Sequence, residues 1–121
     1  MSATRMVPEV PAQALQQASQ RVSQGGLPQP ILIDVRTPDE YSGGHIENSI
    51  NASFMPPDGF ASRVNPLVSS LPKDAEIYLI CLSGKRSVLG GEFLQTQGFT
   101  NVRQLQGGMQ EYRRQQLPEV L

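Results

Sequence analysis

One stretch of the sequence decides the fold: residues 76–87 read EIYLICLSGKRS. Its apolar half predicts a short strand, Ile77–Ile80, buried on both faces as in a parallel sheet. Residues 88–97 have helical spacing and predict a helix, and the polar residues 82–87 form the loop between strand and helix. The pair Gly90-Gly91 inside that helix predicts close packing against a neighbouring element.

The lone cysteine of the chain, Cys81, lies at the start of this loop. Backbone N–H groups and the dipole at a helix N-terminus favour an anion there, and Lys85 and Arg86 add two positive charges. These surroundings stabilise a thiolate, which is the nucleophilic form of cysteine. A buried structural cysteine is the alternative, but the polar loop and the two cations favour a reactive thiol.

The composition is that of a globular domain, and it argues against several classes of function. The 121 residues are 17% charged and 38% hydrophobic, with a net charge of −1, so the chain lacks the basic field typical of nucleic-acid binding. No apolar run reaches the roughly 18 residues of a membrane span, and residues 1–6 lack the apolar core of a signal peptide. One cysteine forms no internal disulfide. We therefore expect a cytoplasmic protein that binds neither nucleic acid nor membrane.

Strands alternate with helices along the chain. Strands are predicted at Glu9–Val10, Ile31–Val35, Ser49–Ala52, Ile77–Ile80 and Val102–Leu105. Helices are predicted from Pro11 to Gly25, from the Thr37–Glu40 capping box to Gly43, over 60–71 with a kink or restart at Pro66, over 88–97, and from Gly107 to Tyr112. The alternation predicts an α/β fold with a mainly parallel sheet of about five strands and helices on both faces. We expect a single domain over 1–121, with a core at about 10–116 and short flexible termini.

Four motifs follow one another along the chain. They are LIDVRTPDEY at 32–41, GHI at 44–46 with INA at 50–52, CLSGKRS at 81–87, and GFTNV at 98–102 with Leu105 and Gly107-Gly108-Met109. On these motifs, the chain resembles a single-domain rhodanese, a sulfurtransferase, from about Val10 to Tyr112. The resemblance implies the rhodanese-like three-layer fold.

The resemblance also implies chemistry at Cys81. As a rhodanese, the protein would take sulfane sulfur from thiosulfate or a persulfide onto Cys81 and pass it to a thiol or cyanide. The residues whose backbone N–H groups would hold the negative sulfur are Leu82, Ser83, Gly84, Lys85, Arg86 and Ser87. Lys85 and Arg86 would orient an anionic donor, and Ser83 and Ser87 would add hydroxyl donors. For Ser87, a helix N-cap is an equally good interpretation.

The length of the loop separates sulfur transfer from phosphate chemistry. Cys81 and Arg86 have the spacing Cys-x4-Arg, one residue shorter than the Cys-x5-Arg loop of the related phosphatases. A ring of inward-pointing amides binds an anion that matches its size, and one sulfur atom needs a narrower ring than a phosphoryl group. The shorter loop therefore favours a persulfide over a phosphocysteine, an interpretation that rests partly on this geometry and partly on the resemblance.

The chain departs from the family pattern at three places. Leu82 stands where many members have arginine, so the mouth of the active-site loop has one cation fewer. This difference predicts poorer use of small anionic donors such as thiosulfate. Tyr112 replaces the usual tryptophan, which we interpret as a packing change. The turn at 44–49 is GHIENS rather than GHIPGA, so its path before the third strand is expected to differ.

Three further polar residues are predicted to support the loop: Asp34, Arg36 and His45. Asp34 ends a buried strand, where carboxylates often line a ligand crevice, but a structural hydrogen-bonded pair with Arg36 is the favoured interpretation. His45 is the single histidine, and a structural role in its turn is favoured over a triad or metal site. No residues have zinc-site spacing and no glycine-rich phosphate motif is present, so no metal and no cofactor are expected.

Two other classes of function stay open on the sequence alone. Rhodanese-like domains also serve as binding, regulatory or sulfur-carrier modules with weak or no thiosulfate turnover. Such modules commonly lack the cysteine, so the presence of Cys81 argues against this alternative, but Leu82 keeps it open. A redox sensor would need an outside thiol to resolve an oxidised Cys81, since the chain has no second cysteine. The expected partners are a small anionic sulfur donor and a thiol, cyanide or protein acceptor, and we expect a monomer.

Overall fold

The apolar runs of the sequence form one parallel sheet. The computed structural model describes residues 7–121, and within them the strands are β1 (Glu9–Val10), β2 (Ile31–Asp34), β3 (Ser49–Asn51), β4 (Ile77–Ile80) and β5 (Val102–Leu105). Neighbouring strands are parallel, in the order β1-β5-β4-β2-β3. This confirms the predicted α/β fold, and it places β4, the strand before Cys81, in the middle of the sheet.

The helices follow the predicted pattern, with differences of a few residues at some of their ends. They are α1 (Ala12–Gln24), α2 (Pro38–Ser42), α3 (Phe60–Val68), α4 (Lys85–Thr96) and α5 (Gly108–Arg114), and a 3-10 turn at Pro57–Gly59 precedes α3. The capping box of α2 is present, with both of its reciprocal hydrogen bonds. Helix α3 passes through Pro66, and it ends at Val68 rather than at residue 71. Helix α4 begins at Lys85 rather than at Val88.

Two apolar clusters cover the two faces of the sheet. Side chains alternate along β4, so Ile77, Leu79 and Cys81 face one cluster while Tyr78 and Ile80 face the other. The first, the α3–α4 cluster, also contains Phe60, Val64, Val68, Leu94, Phe99 and Val102. The second, the α1–α5 cluster, also contains Ala12, Leu15, Ala18, Leu105, Met109 and Tyr112. Helices therefore lie on both faces, as predicted, and Tyr112 is a core residue.

Two glycines let α4 approach its neighbours closely. A Cβ on Gly90 would lie 3.2 Å from the Phe60 ring, and one on Gly91 would lie 2.7 Å from Val7 Cγ2. Both distances are shorter than ordinary contact between carbon atoms. The glycine pair therefore packs closely, as the sequence predicts.

The end of the chain is held against the turn at Gly44-His45. Val120 and His45 exchange backbone hydrogen bonds of 2.8 and 2.9 Å, and Arg113 forms an ion pair with Glu119. The segment after α5 therefore packs against this turn, and the flexible C-terminus expected from the sequence stays a prediction. The expectations for residues 1–6 concern residues outside those described. Of the described helices, none is both long and apolar enough to cross a membrane.

Candidate active site

Cys81 lies at the carboxyl edge of the sheet, directly after its central strand. Because the strands are parallel, the residues that follow β2, β3 and β5 meet at this same edge, which is where open α/β sheets usually bind ligands. The Cys81 side chain belongs to the α3–α4 cluster, and only 1% of the residue is exposed. The thiol thus lies at the edge where such sheets usually bind ligands, and its neighbours cover it.

Within residues 7–121, two polar groups lie within hydrogen-bonding distance of the Cys81 sulfur. The Gly84 N–H donates to Sγ at 2.7 Å, and the Ser87 hydroxyl oxygen lies 3.4 Å from Sγ. Gly84 has a φ of +110°, a left-handed conformation that favours glycine, and this turn directs its N–H at the sulfur. The predicted loop of residues 82–87 is therefore a tight turn, Leu82–Gly84, followed at once by the first turn of α4.

Ser87 is not the helix N-cap, which corrects one interpretation of the sequence. Gly84 holds that position, and Ser87 lies inside α4 with its side chain fully buried. The Ser87 hydroxyl lies 3.0 Å from Gly84 O and 2.7 Å from Gln104 Oε1, in addition to its contact with the sulfur. The alternative interpretation, a hydroxyl that acts beside Cys81, fits this geometry.

The start of α5 holds the backbone of the cysteine in place. The Met109 N–H donates to Cys81 O at 2.8 Å. The Gln110 N–H donates to Leu82 O at 3.1 Å. Gly108 permits this approach, because its φ is +63° and a Cβ there would lie 2.6 Å from Cys81 O. This glycine therefore helps to fix the position of the thiol, a role that the sequence motif alone does not show.

Arg86 is paired with a carboxylate. Its Nη1 and Nη2 donate to Glu40 Oε1 at 2.7 Å and to Glu40 Oε2 at 3.1 Å. The hydrogen bond from Arg86 lowers the pKa of Glu40 to about 2, although burial acts in the opposite direction, and the same bond raises the pKa of Arg86. The ion pair joins the first turn of α4 to the capping box of α2. The sequence predicts that Arg86 orients an anionic donor, whereas in this structure the Arg86 guanidinium is hydrogen-bonded to Glu40.

Replacing Glu40 with glutamine is expected to lower stability at neutral pH but not in strong acid. Because its folded-state pKa is about 2 and its ordinary value is 4.5, the ion pair contributes fully above pH 4.5 and is lost as the pH falls towards 2. Glutamine retains the capping box, so the change removes mainly the charge. The two side chains are 23% and 29% exposed, so the expected loss is about 0.5–1 kcal/mol.

Thermal unfolding of the wild type and Glu40→Gln, followed by circular dichroism at about pH 7 and about pH 2, measures this contribution. The difference between the two proteins should be present at the higher pH and clearly smaller at the lower one, where about half of the Glu40 side chains in the folded protein are protonated. An equal difference at both values would contradict the electrostatic explanation.

The remaining loop residues face different surroundings. The Leu82 side chain packs against the α1–α5 cluster, on the opposite side of the sheet from the Cys81 side chain. It is therefore turned away from the sulfur rather than lining the mouth as predicted, because side chains alternate at the end of the strand. Ser83 and Lys85 are exposed, and Lys85 is the first residue of α4.

Asp34 and Arg36 form a buried pair. Arg36 Nε and Nη2 donate to the two Asp34 carboxylate oxygens at 2.8–3.2 Å, and both side chains are almost fully buried. Arg36 Nη2 also donates to Gly44 O at 2.8 Å. The pair thus holds the turn after α2 against the end of β2, which agrees with the structural interpretation rather than with a ligand-binding carboxylate.

His45 is engaged by its own turn. Its ring stacks on Tyr41 with centroids 3.8 Å apart, and its Nδ1 lies 2.9 Å from Tyr41 O. Asn48 has a φ of +72° in this turn, a conformation that asparagine tolerates in place of glycine. The structural interpretation of His45 fits this geometry. Across residues 7–121, no group of three or more His, Cys, Asp or Glu side chains could hold a metal ion.

The sequence motifs did not indicate that two further residues, Glu40 and Gln104, belong to the site. Glu40 has a local explanation in the capping box, and no local pattern shows that its carboxylate meets a cation 46 residues away. Gln104 carries a signal that could have revealed it. Val102 and Gln104 are two residues apart on a strand, so both point to the same apolar face, and a buried polar side chain there requires a partner.

Comparisons with known proteins agree with this geometry. A family model described as the rhodanese-like domain matches residues 14–115. A senescence-associated protein of Raphanus sativus is 38% identical over 91 residues, which cover 71% of this chain and 50% of that protein. The chain thus spans about half the length of this relative.

Two other matches are more nearly of the same length as this chain. A protein named sulfurtransferase from Allochromatium vinosum is 32% identical over 91 residues, which cover 74% of this chain and 78% of that protein. The crystal structure of a rhodanese-related protein from Thermoplasma volcanium is 28% identical, with a TM-score of 0.70 and coverage of 94% of this chain and 98% of that chain. On the matched family model and these relatives, the chain belongs to the rhodanese-like domain family.

Proposed function

We propose that the protein is a sulfurtransferase that carries sulfane sulfur as a persulfide on Cys81. The observation that carries this proposal is the position of the thiol, at the carboxyl end of the central strand with the Gly84 N–H directed at its sulfur. Membership of a family that includes a protein named sulfurtransferase supports it. The proposed donor is thiosulfate or a persulfide, and the proposed acceptor is a thiol, cyanide or a protein thiol.

Two displacement steps account for the transfer. The Cys81 thiolate attacks the outer sulfur of thiosulfate, the S–S bond of the donor breaks, and sulfite leaves with the bonding electron pair. An acceptor thiolate or cyanide then attacks the terminal sulfur of the persulfide, and Cys81 leaves as the thiolate. The Gly84 N–H and the dipole at the start of α4 stabilise negative charge on sulfur in both steps.

The burial of Cys81 favours donors that present a single terminal sulfur. The residue is almost completely covered, so the reacting atom of the donor has to pass between the side chains around it. Thiosulfate and persulfides both carry the transferred sulfur at the end of one bond. A donor whose reactive sulfur is flanked by bulky groups on both sides would not fit this access.

Intact-mass spectrometry after incubation with thiosulfate tests the proposal. The expected result is a mass increase of one sulfur atom, located on Cys81 and removed by cyanide or a thiol. Cys81 is the only cysteine in the chain, so the adduct has one possible thiol site. Absence of the adduct with both thiosulfate and a persulfide donor would overturn the proposal.

Phosphatase activity is expected to be negligible. The turn Leu82–Gly84 directs the Gly84 N–H at the sulfur itself, and the Cys-x4-Arg spacing is shorter than that of phosphatases in this type of fold. A phosphoryl group needs a wider ring of donors. Turnover of p-nitrophenyl phosphate should equal that of Cys81→Ser, and a clear excess in the wild type would contradict the argument from loop length.

Glu40→Gln is expected to improve the use of thiosulfate, because it releases Arg86. A free guanidinium pairs well with an oxyanion. A partly exposed pair of this kind is worth about 0.5–1 kcal/mol, which corresponds to a roughly two- to five-fold lower KM. The gain should shrink as salt concentration rises. Steady-state kinetics at low and high salt provide the measurement.

Glu76→Gln is the matched control for this effect. It removes the same charge next to the other end of β4, where Glu76 pairs with Arg21. The KM for thiosulfate should be unchanged in this variant. An equal gain in both variants would show that net charge, rather than the release of Arg86, is responsible.

A binding or sulfur-carrier module with weak thiosulfate turnover is the second candidate. The observation that favours it is the engagement of Arg86 by Glu40, which leaves this cation poorly available to a small dianion. A carrier would form the persulfide from a protein donor and not from thiosulfate, so the mass experiment with both donors separates the two candidates. A monomer in a reducing, cytoplasmic compartment is also part of the proposal, and light scattering of the purified chain tests the monomer.

A further inference from the structure

A chain of buried polar groups leads from the backbone of Val7, just before β1, to the sulfur. Gln104 Nε2 donates to Val7 O at 3.0 Å, and Gln104 Oε1 lies 2.7 Å from the Ser87 hydroxyl, which lies 3.4 Å from Cys81 Sγ. Cys81, Ser87 and Gln104 are between 0% and 4% exposed. Polar groups in such surroundings are costly unless they are paired, so each of these contacts constrains the next.

The orientation of the Gln104 amide follows from its partners. Val7 O only accepts hydrogen bonds, so the amide nitrogen must face it and the amide oxygen must face Ser87. The reversed amide would place its oxygen against a carbonyl oxygen and leave two buried acceptors facing one another. Gln104 therefore presents an acceptor, and not a donor, to the Ser87 hydroxyl.

The single proton of the Ser87 hydroxyl has three possible acceptors. They are Gln104 Oε1, Gly84 O and Cys81 Sγ. Gly84 O also accepts from the Val88 N–H at 3.3 Å, so it keeps a donor when Ser87 turns away. Gln104 Oε1 lies closest to the hydroxyl. If Ser87 turned away, this buried oxygen would lose its hydrogen bond, at an appreciable cost in free energy.

We infer that Gln104 is a positioning residue that controls the ionisation of Cys81 through Ser87. By holding the hydroxyl proton, it leaves a lone pair of Ser87 facing the sulfur, and this arrangement accepts the S–H and stabilises the thiol. When a base in solvent removes the thiol proton, the hydroxyl has to rotate towards the sulfur and abandon Gln104. The inference rests on the proposed function only for its catalytic consequence, the pH at which Cys81 becomes a nucleophile.

The charged groups around the sulfur are separate from this relay. Arg86 of α4 attracts a Cys81 thiolate and is paired with Glu40 of α2. Lys85 begins α4 and is exposed, and the buried pair of Asp34 and Arg36 lies at the end of β2. A neutral substitution at Gln104 changes none of these charges. A shift in the ionisation of Cys81 after such a substitution therefore reports on the hydrogen bonds.

Gln104→Met tests the inference, because methionine has a similar length and offers no strong acceptor to Ser87. The thiolate absorbance of the full chain is titrated with pH, and Cys81→Ser supplies the blank for the tyrosines. The chain has one cysteine, so the signal belongs to Cys81. The midpoint should fall by roughly half a unit to one unit, because the freed hydroxyl donates to the thiolate.

Ser87→Ala supplies the control that separates an effect through the Ser87 hydroxyl from a general structural effect of Gln104. In that background, Gln104→Met should leave the midpoint unchanged, since the intermediary hydroxyl is gone. Gln104→Asn, which withdraws the amide oxygen by one methylene, should shift the midpoint in the same direction by less, and it serves if the methionine variant does not fold. An unchanged or raised midpoint in the folded single variant, or an equal shift with and without Ser87, overturns the inference. The titration uses no sulfur donor, so a failure of sulfur transfer would leave its result interpretable.

Discussion

Replacing Cys81 with serine is expected to abolish sulfur transfer and to leave the fold intact. A serine hydroxyl is not ionised near neutral pH and forms no persulfide, so both displacement steps are lost. The groups around the sulfur, the Gly84 N–H and the Ser87 hydroxyl, hydrogen-bond oxygen as well as sulfur. The change in the free energy of unfolding is therefore expected to stay below about 1.5 kcal/mol. Thiocyanate formation from thiosulfate and cyanide measures the transfer, and the expected rate is that of buffer alone.

Ser19→Ala is a matched control for a small change at a buried position. Ser19 lies on α1 and donates to Glu47 O, so its replacement costs one hydrogen bond, about 1 kcal/mol. It is expected to retain the wild-type rate of transfer. Transfer that survives in Cys81→Ser would end the assignment of Cys81 as the sulfur carrier. An equal loss in Ser19→Ala would show that the assay follows stability instead of chemistry.

The central strand β4 and the start of α2 were predictable because short-range rules dominate them. The run Ile77–Ile80 is apolar at every position, as a strand buried on both faces requires, and it forms β4 with the predicted bounds. The capping box at Thr37 satisfies backbone donors within one turn of α2, so its local pattern is enough to place that helix. In both cases the interactions that matter join residues close in sequence or follow from burial alone.

The details of the site depend on interactions that no local pattern contains. The turn before α4 is shorter than predicted because Gly84 reverses the chain with a positive φ, which brings Lys85 into the helix. That reversal, and the alternation of side chains at the end of β4, turn Leu82 away from Cys81. The partner of Arg86 is set by the packing of α2 beside α4, which joins residues far apart in sequence. The motif spacing predicted which residues form the loop after β4, but it did not predict their contacts.

Arg36→Met is expected to be the most destabilising of the substitutions considered for this edge of the sheet. It leaves the Asp34 carboxylate, which is 0% exposed, without the guanidinium that neutralises it. Removing one partner of a buried ion pair costs about 3–5 kcal/mol, a large part of the roughly 5–15 kcal/mol that stabilises a typical domain. Urea unfolding followed by circular dichroism gives the free energy of unfolding. The same variant should also lose sulfur transfer at temperatures where it is partly unfolded.

Arg21→Met is the matched control, because Arg21 makes an equally well-formed pair with Glu76 at 2.8 Å while its side chain is 44% exposed. Its replacement should cost no more than about 1 kcal/mol, since water solvates the carboxylate that remains. Asp34→Asn in the Arg36→Met background removes the unpaired charge and should recover about half of the loss. A similar cost for the Arg36 and Arg21 variants would contradict the argument from burial. No recovery by Asp34→Asn would show instead that the loss comes from the hydrogen bond between Arg36 and Gly44 O.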